Sequence, residues 1–382
     1  MLVWQWGRRG AGPRFAACLA EALRDRPGLA VTLSLCRDAE IMTGADPPRC
    51  EMPVSTYRDM GSLLLRLATA PFALPFLLAR LWPIRPDLAI CAMPGPLDLL
   101  MAAALRLLGA RLVVVVHEAE AHPGDGFPMQ MALQRALCRR VDGLAALSSH
   151  VAAQLRRQRL VSRRRRLIRL AHPPFAFTLP ATPAGRPAGP PRLLFFGRLL
   201  PYKGLDLLAE AIAALPPETA IAVRVVGHGP ACPALAALAA CRGVTVENRW
   251  VPESEIGSLL EWSNAVILPY REASQSGVAA AAMAAGRPII ATRVGGLREQ
   301  LSGAGQAVLC DPDPASLARG IMLWLETPTQ CLAREDAGEA WRQAAAALML
   351  GIRAALPARP AAGRMMRKLP ALRLRGGRHR AP

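Results

Sequence analysis

Residues 192–203 read RLLFFGRLLPYK, and residues 204–215 continue as GLDLLAEAIAAL. The run Leu193, Leu194, Phe195, Phe196 is apolar without alternation, the pattern of a strand buried on both faces of a parallel sheet. It ends in Gly197-Arg198, and Lys203-Gly204 then opens a helix with apolar residues at Leu205, Leu208, Ile212 and Leu215. One guanidinium, one ammonium and a helix amino terminus therefore meet at the carboxyl end of a strand, where open α/β sheets bind their ligands. A diphosphate suits three converging positive features. Residues 192–205 hold no acid, and the plain alternative is a pair of solvated loop charges.

A second anion site is written at Ser274-Gln-Ser-Gly277-Val278, ahead of the helical run 279–285. The amides of Ser276, Gly277 and Val278 would face an anion there, and Gly277 permits close backbone approach. Val226-Gly227-His228-Gly229 ends another strand and would wall a nucleotide.

The opening stretch is followed in order by Val225-Val-Gly-His-Gly-Pro230, Val251-Pro-Glu253, Ala265-Val-Ile-Leu-Pro-Tyr270 and Gly286-Arg-Pro-Ile-Ile-Ala-Thr-Arg-Val-Gly-Gly296. Over residues 193–301 this series resembles the retaining glycosyltransferases of family four. The resemblance implies an α/β protein of GT-B fold, two Rossmann-like parallel-sheet domains facing across a cleft. It implies a nucleoside-diphosphate sugar as donor, with Arg198 and Lys203 on the leaving phosphate and Gly197 and Gly229 beside the nucleotide. In that family the 273–284 segment normally carries Glu-x7-Glu. Aligning Ala282-Met283-Ala284 puts Ala273 and Ala281 at both carboxylate positions, so the chain resembles a variant branch lacking them. Glu272 lies one residue off and is expected to bind the donor in their place, unless it is an exposed loop acid.

In the first half, Gly7-Arg-Arg-Gly10-Ala-Gly12-Pro-Arg14 joins a strand to a helix, and Gly10 and Gly12 are expected to approach the donor. Phe15 occupies the third glycine position of a dinucleotide fingerprint, so that motif is incomplete. His117-Glu118-Ala-Glu120-Ala-His122-Pro-Gly124 follows the strand 112–116 and resembles a His-Asp/Glu-x3-His-x-Gly segment of related bacterial transferases. His117 is expected to touch the donor sugar or the acceptor, with a satisfied buried histidine as the alternative. No metal is expected, because the histidine and acid spacing matches no usual zinc helix. No cofactor beyond the sugar-nucleotide co-substrate is expected.

The nine cysteines are dispersed without a Cys-x-x-Cys pair, which fits buried thiols in a reduced compartment. The formal charge is +19, and residues 353–382 carry nine basic residues and no acid. A second basic run spans Arg156, Arg157, Arg159, residues 163–166 and Arg169. Such runs suit an anionic membrane surface or are simply solvated. The tail lacks interleaved aromatics, so nucleic acid is not the expected partner. The N terminus has no long apolar core and does not read as a signal peptide. Residues 63–82 are apolar but broken by Pro71 and Pro75, short of the ~20 residues of a spanning helix. They read as a helix pair over the first sheet, packed in the core or touching a bilayer surface.

Strand–helix alternation on both sides of a Pro/Ala/Gly-rich stretch divides the chain. The expected parts are a Rossmann-like acceptor domain at 1–175 and a linker at 176–191. A nucleotide-sugar domain at 192–330, a crossover helix region at 331–356 and a basic disordered tail at 357–382 follow. The expected function is transfer of a hexose to a glycan, polyprenyl-linked, for bacterial surface polysaccharide. The expected place is the cytoplasm, peripheral at the inner face of the plasma membrane. The competing expectation is a degenerate GT-B protein that binds nucleotide, RNA or membrane. An epimerase or phosphorylase on the same fold is a third.

Overall fold

The computed structural model describes residues 1–126, 129–163, 165–177, 189–302, 307–327 and 336–356. The first lobe runs β1 (Leu2–Gln5), α1 (Ala11–Arg24), β2 (Thr32–Leu35), α2 (Glu40–Thr43), α3 (Met60–Ala68), α4 (Ala70–Leu81), β3 (Leu88–Cys91) and α5 (Asp98–Leu107). It continues with β4 (Arg111–Val116), α6 (Gln130–Cys138), β5 (Gly143–Ala146), α7 (Ser149–Arg157) and β6 (Arg166–Arg169). The second lobe runs β7 (Arg192–Arg198), a 3-10 turn (Pro201–Lys203), α8 (Leu205–Ala213), β8 (Ala222–His228), α9 (Pro233–Ala240), β9 (Val244–Asn248) and α10 (Glu253–Trp262). It closes with β10 (Ala265–Leu268), α11 (Gly277–Ala284), β11 (Ile289–Thr292), α12 (Gly295–Leu301), β12 (Ala307–Cys310) and α13 (Pro314–Glu326), before α14 (Ala337–Ala355).

Each lobe holds one six-stranded parallel sheet, ordered β2-β1-β3-β4-β5-β6 and β12-β11-β10-β7-β8-β9. The unalternating apolar strands explain this: Leu112 to Val116 of β4 and Leu193 to Phe195 of β7 are at most 1% exposed, covered on both faces. Burying each such side chain contributes about 1.5–3 kcal/mol. The strand order reverses beside β1 in the first sheet and beside β7 in the second. The loops at those two reversals are the natural ligand crevice.

One face of the first sheet packs against α3 to α7, and the other against α1 and α14. Trp341, Leu348 and Ile352 of α14 sit in that second layer with Phe15 and Leu23. Trp341 Nε1 donates to Pro174 O at 2.9 Å, and Arg111 Nη1 donates to Leu356 O at 2.7 Å. The chain thus leaves the second lobe and returns to cover the first. Most of the expected linker, residues 331–335 and the whole basic tail lie outside the described residues.

Helix α1 begins at Ala11, not near Phe15 as the glycine spacing implied. Pro13 is tolerated in a first helical turn, where its missing N–H has no partner to lose. Gly10 caps the helix at φ 80°, and a Cβ on Gly12 would stand 2.8 Å from Gln5 Nε2. Gly10 therefore needs glycine for its backbone angle, and Gly12 leaves room for the Gln5 side chain.

Asp98 opens α5 fully buried. It accepts from Trp4 Nε1 at 3.0 Å, Gly95 N at 2.7 Å and Cys91 Sγ at 3.1 Å, tying α5 to β1 and β3. Burial pushes its carboxyl up to about 6, against the pull of those donors.

Candidate active site

The two lobes enclose a cleft cavity of about 900 Å³. From the second lobe its wall includes Gly197, Arg198, Lys203, Gly229, Ser276, Gly277 and Val278, and from the first Gly10, Gly12 and His117. Ala273 and Ala281 also face it, 4% and 2% exposed, so methyl groups line the wall where the family carries carboxylates.

Lys203 ends the 3-10 turn after β7. Its Nζ sits 3.7 Å from the centre of the Tyr270 ring and 4.9 Å from that of Tyr202. No carboxylate pairs with it among the described residues. It is one of two lysines in a chain with 47 basic residues, and its compact ammonium stands over the faces of two rings. Arg198 differs. It forms an ion pair with Asp125 of the first lobe, and its Nη2 donates to Tyr202 Oη at 2.8 Å. The acid missing from residues 192–205 thus arrives across the cleft.

The amino ends of α1 and α11 face each other. A Cβ on Gly277 would lie 3.6 Å from Ala11 Cβ and 3.7 Å from the Phe175 ring. The amides of Gly277 and Val278, first in α11, have no acceptor within the helix. Ser276 departs from expectation: its N–H donates to Gln300 Oε1 at 2.8 Å, and its Oγ caps Ala279 N at 3.2 Å. Its own polar groups are engaged in anchoring the loop. Gly229 is likewise held, exchanging bonds with the Asn248 amide at 3.2 and 3.0 Å.

Glu272 is a correction. It does not line the cavity; its exposed carboxylate meets His122 Nδ1 at 3.2 Å. The one-residue offset turns it out of the loop that presents Ala273 inward. His122, fixed by that contact, stacks on Tyr202 with centroids 4.6 Å apart.

His117 is buried at the cavity floor. Its Nε2 donates to Ala92 O at 2.8 Å, and Nδ1 accepts from Gln275 Nε2 at 3.3 Å. Burial, then the neighbouring His172, lowers its pKa to about 3, so it stays neutral. With Nε2 on Ala92 O and Nδ1 on the Gln275 amide, both ring nitrogens are engaged, which suits a positioning role. Gln275 Oε1 is buried without a partner beside it.

The lobes are clasped by further contacts that no local pattern announces. Arg14 pairs with Glu253, and Glu40 Oε1 accepts from Glu253 N at 2.8 Å. Ser148 Oγ donates to Ser274 O at 2.9 Å. Glu299 of α12 accepts from Ser149 N at 2.5 Å and from Arg169 Nη2 at 2.8 Å. Arg169 therefore leaves the expected free basic run for an interlobe bridge.

Two measurable consequences arise here. Asp125 places an anion beside Arg198; on the expectation that Arg198 meets a diphosphate, Asp125→Asn should tighten nucleoside-diphosphate binding about three- to tenfold. Calorimetric Kd values for the two proteins decide it; unchanged or weaker binding sinks the competition. The second concerns acid. His172, lowered to about 4 by burial, and His117 at about 3 bind protons in the unfolded chain from the usual 6.5 downward, but not in the folded one. Their stability is complete above pH 6.5 and drains as pH falls toward 3. Asp98 acts oppositely, gaining stability as pH falls from about 6 to 3.8, with a smaller shift. Net Tm is expected to fall between pH 6.5 and 4, and His172→Asn to remove roughly 3 kcal/mol of that dependence. An unaltered slope in the variant would contradict it.

Comparison with known proteins matches this geometry. Residues 13–170 fit the family model "Glycosyltransferase Family 4", and residues 190–327 fit "Glycosyl transferases group 1". The 2-deoxystreptamine glucosyltransferase of Streptomyces kanamyceticus is 30% identical over 294 residues, 69% of this chain and 74% of that protein. Among solved structures, sucrose-phosphate synthase from Thermosynechococcus elongatus aligns with a TM-score of 0.65 at 18% identity, covering 92% of this chain and 97% of its own. Anabaena HepE, solved with UDP and glucose, aligns at 0.63 and 17% identity, covering 93% and 97%. Two parallel sheets facing across a cation-lined cleft, and relatives of this kind over both lobes, place the chain in the group 1, family 4 glycosyltransferases, a transferase of GT-B fold.

Proposed function

We propose that this glycosyltransferase moves a hexose from a nucleoside-diphosphate sugar, with retention of anomeric configuration, to a lipid-linked glycan in surface polysaccharide synthesis. The observation that carries the donor half is Lys203, without a carboxylate partner and set beside Arg198 and two facing helix amino ends. The Anabaena neighbour solved with UDP and glucose supports the same ligand class.

Breaking the anomeric bond puts negative charge on the β-phosphate. Lys203, Arg198 and the amides of Gly277 and Val278 stabilise that charge where it develops. Each of the cavity's four carboxylates has a partner: Asp125 on Arg198, Glu253 on Arg14, Glu40 on the Glu253 amide, and Glu118 at 4.0 Å from His122 Nε2. This favours attack by the acceptor on the leaving-group face, its proton passing to the departing phosphate. His117 orients Gln275, whose unpartnered Oε1 accepts from a sugar hydroxyl. No metal takes part, so excess EDTA leaves the rate unchanged.

The acceptor half rests on the apolar, acid-free stretch 60–86 and on the basic residues Arg156, Arg159 and Arg166, and it places the enzyme at the inner face of the plasma membrane. A panel of UDP- and GDP-hexoses with membrane extracts tests the whole reading. Transfer of one sugar to the extractable lipid fraction, with the donor's anomeric configuration in the product, supports it. Inverted product, or transfer only to soluble acceptors, refutes the corresponding half.

A further inference from the structure

Helices α3 and α4 are anchored to the first lobe by Leu63, Leu77 and Leu81, all buried. Their outer face is left bare: Leu64 is 57% exposed, Leu65 64%, Phe72 76%, Phe76 75% and Trp82 52%. Large apolar side chains left exposed together on two consecutive helices are a feature of interaction sites. The two helices meet at a 79° bend, and neither is long enough to cross a membrane.

The charge around this face is predominantly positive, with Asp38 and Asp59 the acids beside it. Residues 60–86 contain no acid. Arg85 lies over the Trp82 ring at 3.8 Å, the pairing of cation and aromatic found where apolar and aqueous phases meet. Against α3 opens a depression of about 610 Å³ lined by Arg37, Arg58, Arg66, Ser62 and Thr69, with Asp38 its single acid. None of those three guanidiniums has an ion-pair partner among the described residues. The depression is close to the cleft: Arg8, from the loop that leads to Gly10, donates from Nη1 to Arg58 O at 3.0 Å.

We infer that α3 and α4 dock on an anionic phospholipid bilayer. Leu64, Leu65, Phe72, Phe76 and Trp82 enter the interface, and a headgroup phosphate sits among Arg37, Arg58 and Arg66. The inference rests on the membrane-side acceptor proposed above and names the surface that reaches it. A second copy of the chain fits poorly. In a two-fold contact the same patch meets itself, setting Arg37, Arg58 and Arg66 against their own copies with only Asp38 and Asp59 to offset them. A bilayer supplies both an apolar phase and the missing negative charge.

The test is cosedimentation of the full chain, tail included, with vesicles of phosphatidylcholine alone and mixed with phosphatidylglycerol. Phe72→Glu/Phe76→Glu is expected to lower partition roughly a hundredfold on the mixed vesicles. Arg37→Gln/Arg58→Gln/Arg66→Gln is expected to lower it about fivefold per arginine on mixed vesicles and not at all on neutral ones. Both variants should keep the wild-type melting shift with UDP or GDP, which shows the lobes intact. Wild type that fails to partition, or variants that partition like it, overturns the docking surface. So does displacement by inorganic phosphate at matched ionic strength, which would assign the depression to a free anion. A solution dimer dissolved by Phe72→Glu/Phe76→Glu would assign the face to self-association and also overturn it. Partition without glycosyl transfer would count against the transfer reading and leave docking standing.

Discussion

Replacing Lys203 with alanine should lower kcat/KM by roughly 10²- to 10³-fold, and replacing Arg198 should lower it at least as far. Lys203 pairs with no carboxylate among the described residues, so its removal takes away charge without freeing an acid. Arg198 is tied to Asp125, and its removal leaves that carboxylate facing the diphosphate. Arg198→Ala should therefore be the more damaging, and Arg198→Ala/Asp125→Asn should recover part of the loss. Lys203→Arg should rescue in part, because the guanidinium keeps the charge and stacks on the rings but is longer and carries its donors in a fixed plane. Steady-state kinetics with circular dichroism as a folding check measure all four. Near-native turnover in Arg198→Ala or Lys203→Ala would remove the basis of the site.

Gly277→Val should cost about 10²-fold in kcat/KM, whereas Gly277→Ala should be nearly silent. The added Cβ of alanine meets Ala11 and the Phe175 ring at ordinary contact distances, 3.6 and 3.7 Å. Valine adds methyl groups with no room beyond that contact. It pushes the amino end of α11 away from that of α1 and intrudes where the β-phosphate lies. Position 277 is the first residue of α11, so neither substitution breaks a helical hydrogen bond. Equal activity in the two variants would show that the helix ends do not close on the ligand.

The sheets were legible because buried parallel strands leave unbroken apolar runs, as at Leu193 to Phe196. Lys203 and Arg198 were legible for a related reason: strand, turn and helix are contiguous. Asp125 was not, since it reaches Arg198 from the opposite lobe, and no local periodicity encodes which loops meet across a cleft. Arg14 with Glu253 and Glu299 with Ser149 were hidden in the same way. Glu272 misled because a residue type within one position of a motif says nothing about the direction of its side chain. Gln275 gave one faint signal, an amide ahead of a helix cap, but its bond to His117 depends on tertiary contact. The stretch 63–82 was readable as two apolar helices. Which of their residues stay bare depends on how much of the pair the sheet covers, and composition cannot supply that.

The central claim, that the cleft grips a pyrophosphate, is tested most directly by titrating the full chain with a nucleoside diphosphate and the matching monophosphate in a calorimeter. The account predicts that the diphosphate binds at least about tenfold tighter, through charge-assisted bonds to its outer phosphate, and that Lys203→Ala erases the difference. Equal affinity for the two ligands in the wild-type protein would contradict it.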